Sequence, residues 1–209
     1  MSNSISGPAY RIETERLIIR CWHPKDAQLL KDTVDKNLDH LQAWMPWAHH
    51  EPTSIQDKVN LLRTMRGEFD LGKDFVYGIF NQDQSTVLGG TGLHLRIGDN
   101  AREIGYWLHK DHTRQGLTTE TVLALSKVAF EIDQVDRIEI HCDPANIGSA
   151  SVAQKAGYYH EATLRNRTTS PNGQPRDTMI WSLFFDQYKD SPAASMKIKA
   201  FDATGQRLI

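Results

Sequence analysis

Apolar positions recur along this chain in two periods. Seven short runs rich in β-branched and aromatic residues read as strands: "RLIIRCW" (16–22), "FVYGIF" (75–80), "VLGGTGLHLR" (87–96), "EIGYWLH" (103–109), "RIEIHC" (137–142), "YHEATLRN" (159–166) and "DTMIWSLFF" (177–185). Between them the spacing changes to three and four. Ala27, Leu30 and Val34 follow a helix start at Pro24 and Asp26, and Val59, Leu62 and Phe69 lie within a second helix over 54–71. A third helix spans 116–132. A short fourth spans 146–157, with Asn146 placed to cap it and Gly157 to stop it. "LQAWMPWAHHEP" (41–52) reads as a loop, "NQDQST" as a tight turn, and Pro171, Asn172, Gly173 and Pro175 mark the last turn. Glycines 89, 90 and 92 within one strand require a bulge or a close neighbour.

The order is β-α-α-β-β-β-α-β-α-β-β. Three consecutive strands predict an antiparallel meander, and the β-α-β that follows needs a parallel pairing with a right-handed crossover. The expected fold class is α/β: a mixed sheet of six or seven strands with helices on both faces, in one domain over 10–188. Residues 1–9 read as a loose N-terminus. Residues 189–209 read as a C-terminal extension with a small hairpin around Asp202–Gly205.

Composition narrows the class. The 209 residues are 39% hydrophobic, enough for one substantial core, and the formal net charge is -2 with no block of like charge. Nothing marks a basic face for nucleic acid. No apolar run approaches a membrane span and no signal-peptide pattern opens the chain, so a cytoplasmic protein is expected. Cys21 and Cys142 are too few for a disulfide framework and read as reduced thiols. Nine histidines include no paired ligand spacing, and metal chemistry is not expected.

The chemistry concentrates in "HTRQGLTTET" (112–121), a polar turn between a strand and a helix. The first turn of a helix presents unpaired N–H groups and the positive end of the dipole, which suits an anion. Taken together, "EIGYWL", "TRQGLTTE" and "NIGSASVAQKAGY", in that order, resemble the GNAT superfamily of acyl-coenzyme A N-acyltransferases. Within it the ribosomal-protein N-terminal acetyltransferases of the RimJ/RimL type are most similar, a branch that "ETERLIIR" and "WMPW" also match. The likeness covers about residues 10–188.

The resemblance implies a sheet splayed at its central parallel pair, with acetyl-CoA in the opening and no metal. Gly116 would sit against the pyrophosphate, with Arg114, Gln115, Leu117, Thr118 and Thr119 around it. The family pattern there is Arg/Gln-x-x-Gly-x-Gly/Ala; here Thr113 and Thr118 replace its first and last positions, and Arg114 can restore the missing positive charge. The pantetheine arm would pair with the strand at Trp107, Leu108 and His109, and the Leu108 N–H would meet the oxyanion. Asn146 would bond the arm. The tyrosine that many members carry seven residues later is Ala153 here, and Ser149 is the candidate proton donor to the leaving thiolate. Glu103 is the candidate general base, against the alternative of a plain ion pair with Arg102 or Lys110. Trp44 and Trp47 would border the acceptor.

By this likeness the expected partner is an amine acceptor: first a protein N-terminus, ribosomal in type, and second a small-molecule amine. Neither nucleic acid nor membrane is expected, and a homodimer is the expectation by analogy alone. The rival reading is a non-catalytic acyl-CoA-binding module, which Thr113 and Thr118 favour and Glu103, Gly116, Asn146 and Ser149 oppose.

Overall fold

The computed structural model describes residues 7–170 and 173–209, so Pro171 and Asn172 of the last turn lie outside the described residues. The strands are β1 (Arg11–Glu13), β2 (Ile18–Cys21), β3 (Phe75–Phe80), β4 (Val87–His94), β5 (Ala101–Leu108), β6 (Arg137–Cys142), β7 (Tyr159–Thr169), β8 (Pro175–Phe184) and β9 (Lys199–Phe201). The helices are α1 (Ala27–Asp35), α2 (Leu38–Gln42), α3 (Ile55–Asp70), α4 (Leu117–Glu131), α5 (Ile147–Lys155) and α6 (Phe185–Tyr188).

One sheet holds all nine strands, in the order β7-β8-β6-β5-β4-β3-β2-β1-β9. The expectation of six or seven strands is therefore short by β1 and β9, the last two strands at one side of the sheet. Each has three residues, too few to show a period. β9 comes from the C-terminal extension and pairs antiparallel with β1, so the extension completes the sheet. Ala9, in the segment read as loose, is fully buried in the core.

Every neighbouring pair is antiparallel except β5 and β6. Those two pair over three positions only, Ala101–Glu103 against Arg137–Glu139. β5 then continues to Leu108 without β6 beside it, so the sheet opens into a V. Side chains alternate across the sheet. Ile104 and Leu108 join the cluster that includes Leu117, Val122 and Leu125 of α4, while Trp107 packs with the cluster of α1 and α3 on the other face. α3 begins with a reciprocal cap, Ser54 and Asp57 each bonding the other's backbone N–H. The 41–52 stretch is more ordered than its composition suggests: α2 and a 3-10 turn (Pro46–His50) occupy it.

The glycines of β4 make room for rings. A Cβ at Gly90 would stand 2.6 Å from the Trp107 indole nitrogen, and one at Gly92 would stand 2.7 Å from the His94 imidazole. Both rings lie flat on the sheet where ordinary side chains would have stood.

Candidate active site

A cleft of about 760 Å³ occupies the V. Its walls are Tyr106, Trp107 and Leu108 of β5, the first turns of α4 and α5, and His40, Leu41, Trp44 and Met45 around α2. Lys110, Arg114 and Lys155 line it and, among the described residues, no carboxylate does.

Two helix N-termini converge there. Arg114 and Gly116 both take left-handed backbone, φ 61° and 78°. Those turns bring the chain into α4 with Gly116 at its cap. The first bond of α4 runs from the Glu120 N–H to the Gly116 carbonyl, so the N–H groups of Leu117, Thr118 and Thr119 precede its ladder. On α5, Asn146 accepts from the Ser149 N–H at 3.0 Å through its side chain. It is therefore a cap, and it still lines the cleft. The Gln115 side chain turns back to donate to the Asp111 carbonyl at 3.0 Å and does not line the cleft. Its own carbonyl takes a 2.9 Å bond from Arg16, which Glu120 also holds, and these contacts brace the turn from behind.

A substituent at Gly116 meets nothing closer than 3.6 Å, so space does not require glycine here; the positive φ does. We expect Gly116→Val to weaken acetyl-CoA binding at least tenfold by isothermal titration, through loss of the turn. Equal affinity would remove the turn from the binding site.

Hydrogen-bond direction along β5 decides which residues can bond a ligand in the V. His109 donates its N–H to the Leu88 carbonyl at 2.8 Å, on the β4 side. In an antiparallel pair this direction alternates. The N–H of Trp107 therefore also points to β4, and those of Tyr106 and Leu108 point into the opening. Tyr106 and Leu108 thus offer backbone donors to the opening, whereas Trp107 and His109, expected to do so, do not. Trp107 remains part of the wall, its ring edge-on to Trp47 at 6.0 Å. Trp44 lines the cleft with Arg176 over its ring at 5.9 Å; Arg176 in turn pairs with Asp143.

Ser149 sits at the junction. Its hydroxyl lies 2.9 Å from the Tyr106 hydroxyl and within hydrogen-bond reach of the Cys142 thiol. Burial raises the Tyr106 pKa, and Ser149 only partly offsets it, so the phenol keeps its proton. Burial likewise raises the Cys142 thiol. From sequence Tyr106 has no stronger reading than core packing, and nothing signals its bond to Ser149.

Glu103 is not in the cleft wall. It is 6% exposed and forms a two-point pair with Arg96, at 2.7 and 2.5 Å, not with Arg102 or Lys110. His141 lies 3.7 Å away. Burial acts to raise the Glu103 pKa, but the Arg96 hydrogen bonds and the His141 and Arg96 charges outweigh it and leave it below the usual carboxylate value. A carboxylate so held is a weak base. Because its folded pKa is depressed, its stabilisation is present above the unfolded value, about 4.3, and is lost as pH falls through the folded one. Glu103→Gln should thus lower the melting temperature at neutral pH and flatten the acid limb of stability. An unchanged melt from neutral pH to pH 3 would contradict the pairing role.

With this geometry in view, comparison with known proteins is informative. The family described as "Acetyltransferase (GNAT) domain" matches residues 16–159. The chain belongs to the GNAT acetyltransferase family. Among curated GNAT relatives, the "[Ribosomal protein uS5]-alanine N-acetyltransferase" of Escherichia coli (strain K12) is 24% identical over 181 residues, 84% of this chain and 91% of that protein. The "Probable N-acetyltransferase YjcK" of Bacillus subtilis (strain 168) is 30% identical over 174 residues, 82% of this chain and 96% of that protein. Among solved structures, the microcin C7 self-immunity acetyltransferase MccE, in complex with acetyl-CoA and AMP, superposes with a TM-score of 0.76 at 20% identity. That match covers 87% of this chain and 97% of MccE. The RimL acetyltransferase of ribosomal L7/L12, in complex with coenzyme A, gives 0.75 at 22% identity, covering 83% and 96%. Both share the GNAT fold. Among the described residues no cluster of three or more His, Cys, Asp or Glu could hold a metal, and no helix is long and apolar enough to cross a membrane.

Proposed function

We propose that this N-acetyltransferase uses acetyl-CoA and acylates a primary amine by direct attack, with a protein N-terminus as the acceptor. The observation that carries the cofactor reading is the cleft itself. Two helix N-termini and three basic side chains surround it, no carboxylate among the described residues lines it, and an open strand edge forms one wall. This is the chemistry of a polyanionic tail joined to an arm of amides. The N–H groups of Leu117, Thr118 and Thr119 with Arg114 would hold the pyrophosphate. The Leu108 and Tyr106 N–H groups would meet the arm and the thioester oxygen. Ser149 would donate to the thiolate as the C–S bond breaks.

Two considerations support a peptide acceptor. The curated relatives include a ribosomal protein uS5-alanine N-acetyltransferase and a ribosomal-protein-serine acetyltransferase. The wall of Trp44, Trp47 and Trp107 continues out of the cleft, as a short extended chain would require. The test is free-thiol release from acetyl-CoA over peptides differing in their first residue, polyamines, amino-acid derivatives and aminonucleotides. Turnover with free N-terminal peptides, abolished by blocking the α-amine, is expected. Turnover confined to small amines would shift the acceptor class. Tight acetyl-CoA binding with no thiol release from any amine would leave a binding module.

A further inference from the structure

We propose that His94, oriented by Asp74, takes the proton that the acceptor amine must lose. The inference rests on the acetyltransferase reading above and assigns its proton acceptor to a residue other than Glu103.

The geometry begins at the end of β4. The Nδ1 of His94 lies 3.0 and 2.9 Å from the two carboxylate oxygens of Asp74. A carboxylate can only accept, so Nδ1 carries the proton and, in the neutral ring, Nε2 carries the lone pair. Among the described residues Nε2 has no hydrogen-bond partner, and the side chain keeps 17% of its surface in contact with water. The ring lies across two glycines. A Cβ at Gly92 would stand 2.7 Å from Nε2, and one at Gly105 would stand 3.1 Å from it. The nearest atoms at both positions belong to the His94 ring, so the two glycines leave space for this imidazole. Nε2 therefore reaches the residue of β5 next to Tyr106, on the sheet face that also carries Trp107. Trp107, on that same face, lines the cleft.

Charged groups from the neighbouring elements stand around the ring. Asp74 comes from the loop before β3, and Glu103 stands directly opposite His94 on β5. Glu139 and His141 come from β6, where Glu139 pairs with both His141 and Arg137. Arg96 follows β4 and is taken up by Glu103. The two-point pair with Arg96 occupies both oxygens of the Glu103 carboxylate.

The balance is simple. The ammonium form of the acceptor gives one proton to Nε2, directly or through a water, and becomes a neutral amine. Its lone pair attacks the thioester carbon, the C–S bond breaks, and the electron pair leaves on sulfur. The nitrogen loses a second proton as the amide forms, matching the one the thiolate takes up. The proton on His94 returns to solvent, so one proton is released per turnover.

The test measures kcat/KM against pH for the wild type, His94→Gln and Asp74→Asn, with His94→Ala assayed in added imidazole. His94→Gln should lose about a hundredfold to ten-thousandfold at neutral pH and should recover as pH rises and the amine becomes neutral by itself. Asp74→Asn should lose less, in the same direction. Imidazole should restore His94→Ala with saturation, by filling the space over Gly92 and Gly105. Acetyl-CoA affinity by isothermal titration should not change, because His94 is outside the cleft. An unchanged pH profile in both His94→Gln and Asp74→Asn, with no imidazole rescue, would overturn the assignment while leaving the acetyltransferase intact. A wild type that binds acetyl-CoA and releases no thiol with any amine would overturn both.

Discussion

Ser149→Ala is expected to lower kcat by about a hundredfold, the lower end of what a positioned proton donor contributes, while acetyl-CoA affinity stays near that of the wild type. Acyl transfer stalls when the thiolate cannot be stabilised as it departs. The Ser149 hydroxyl stands between the Tyr106 phenol and the Cys142 thiol, at the first turn of α5, facing the cleft. Its backbone is fixed by the Asn146 cap, so the substitution removes an oxygen and leaves the helix start intact. Tyr106 orients that hydroxyl and keeps its own proton, so Tyr106→Phe should give a smaller loss in the same direction. Single-turnover rates with saturating acetyl-CoA and acceptor measure the effect. A Ser149→Ala enzyme with weaker acetyl-CoA binding and normal kcat would make the hydroxyl a binding contact only.

The largest stability effect is expected at Lys58, on the buried side of α3. Its ammonium is paired with Glu51, and their side chains are 2% and 7% exposed. Glu51 also accepts from the Thr53 hydroxyl and N–H. Lys58→Met leaves that carboxylate buried without its cation, and breaking such a pair typically costs about 3–5 kcal/mol. Against a total of about 5–15 kcal/mol for a domain, much of the folded population could be lost on warming. The pair also ties the segment carrying Trp44 and Trp47 to α3, so acceptor KM should rise before acetyl-CoA affinity falls. Removing both charges, Lys58→Met with Glu51→Leu, should recover most of the stability. Urea unfolding of the single and double variants measures it, and additive losses would show that the two groups do not interact.

Much of this architecture could be read along the chain, because long elements repeat their period several times. β5, α4, β6 and α5 fall within two residues of the expected bounds, and the caps at Asn146 and Gly157 stand where their residue types placed them. β1 and β9 could not be read, since three residues make no pattern and their pairing spans most of the chain. At the site, the turn of Gly116 between strand and helix followed from local chemistry. What did not follow depends on partners distant in sequence or on hydrogen-bond direction. Nothing near Glu103 in the strand names Arg96 as its partner. The β4 glycines 89, 90 and 92 signalled close packing without revealing that one ring is Trp107 and the other His94. The outward turn of the His109 N–H depends on the register of β4 against β5, which periodicity alone leaves open.

The central claim is direct transfer from acetyl-CoA to an amine within one ternary complex. Cys142 is the nucleophile that would offer another route, and burial keeps its thiol protonated and slow to attack. Initial rates with acetyl-CoA and the best peptide acceptor both varied test this most directly. Direct attack predicts double-reciprocal lines that intersect, with no acetyl group on the protein by intact mass when the acceptor is withheld. Parallel lines, together with an acetylated enzyme that passes its acyl group to added amine, would contradict it.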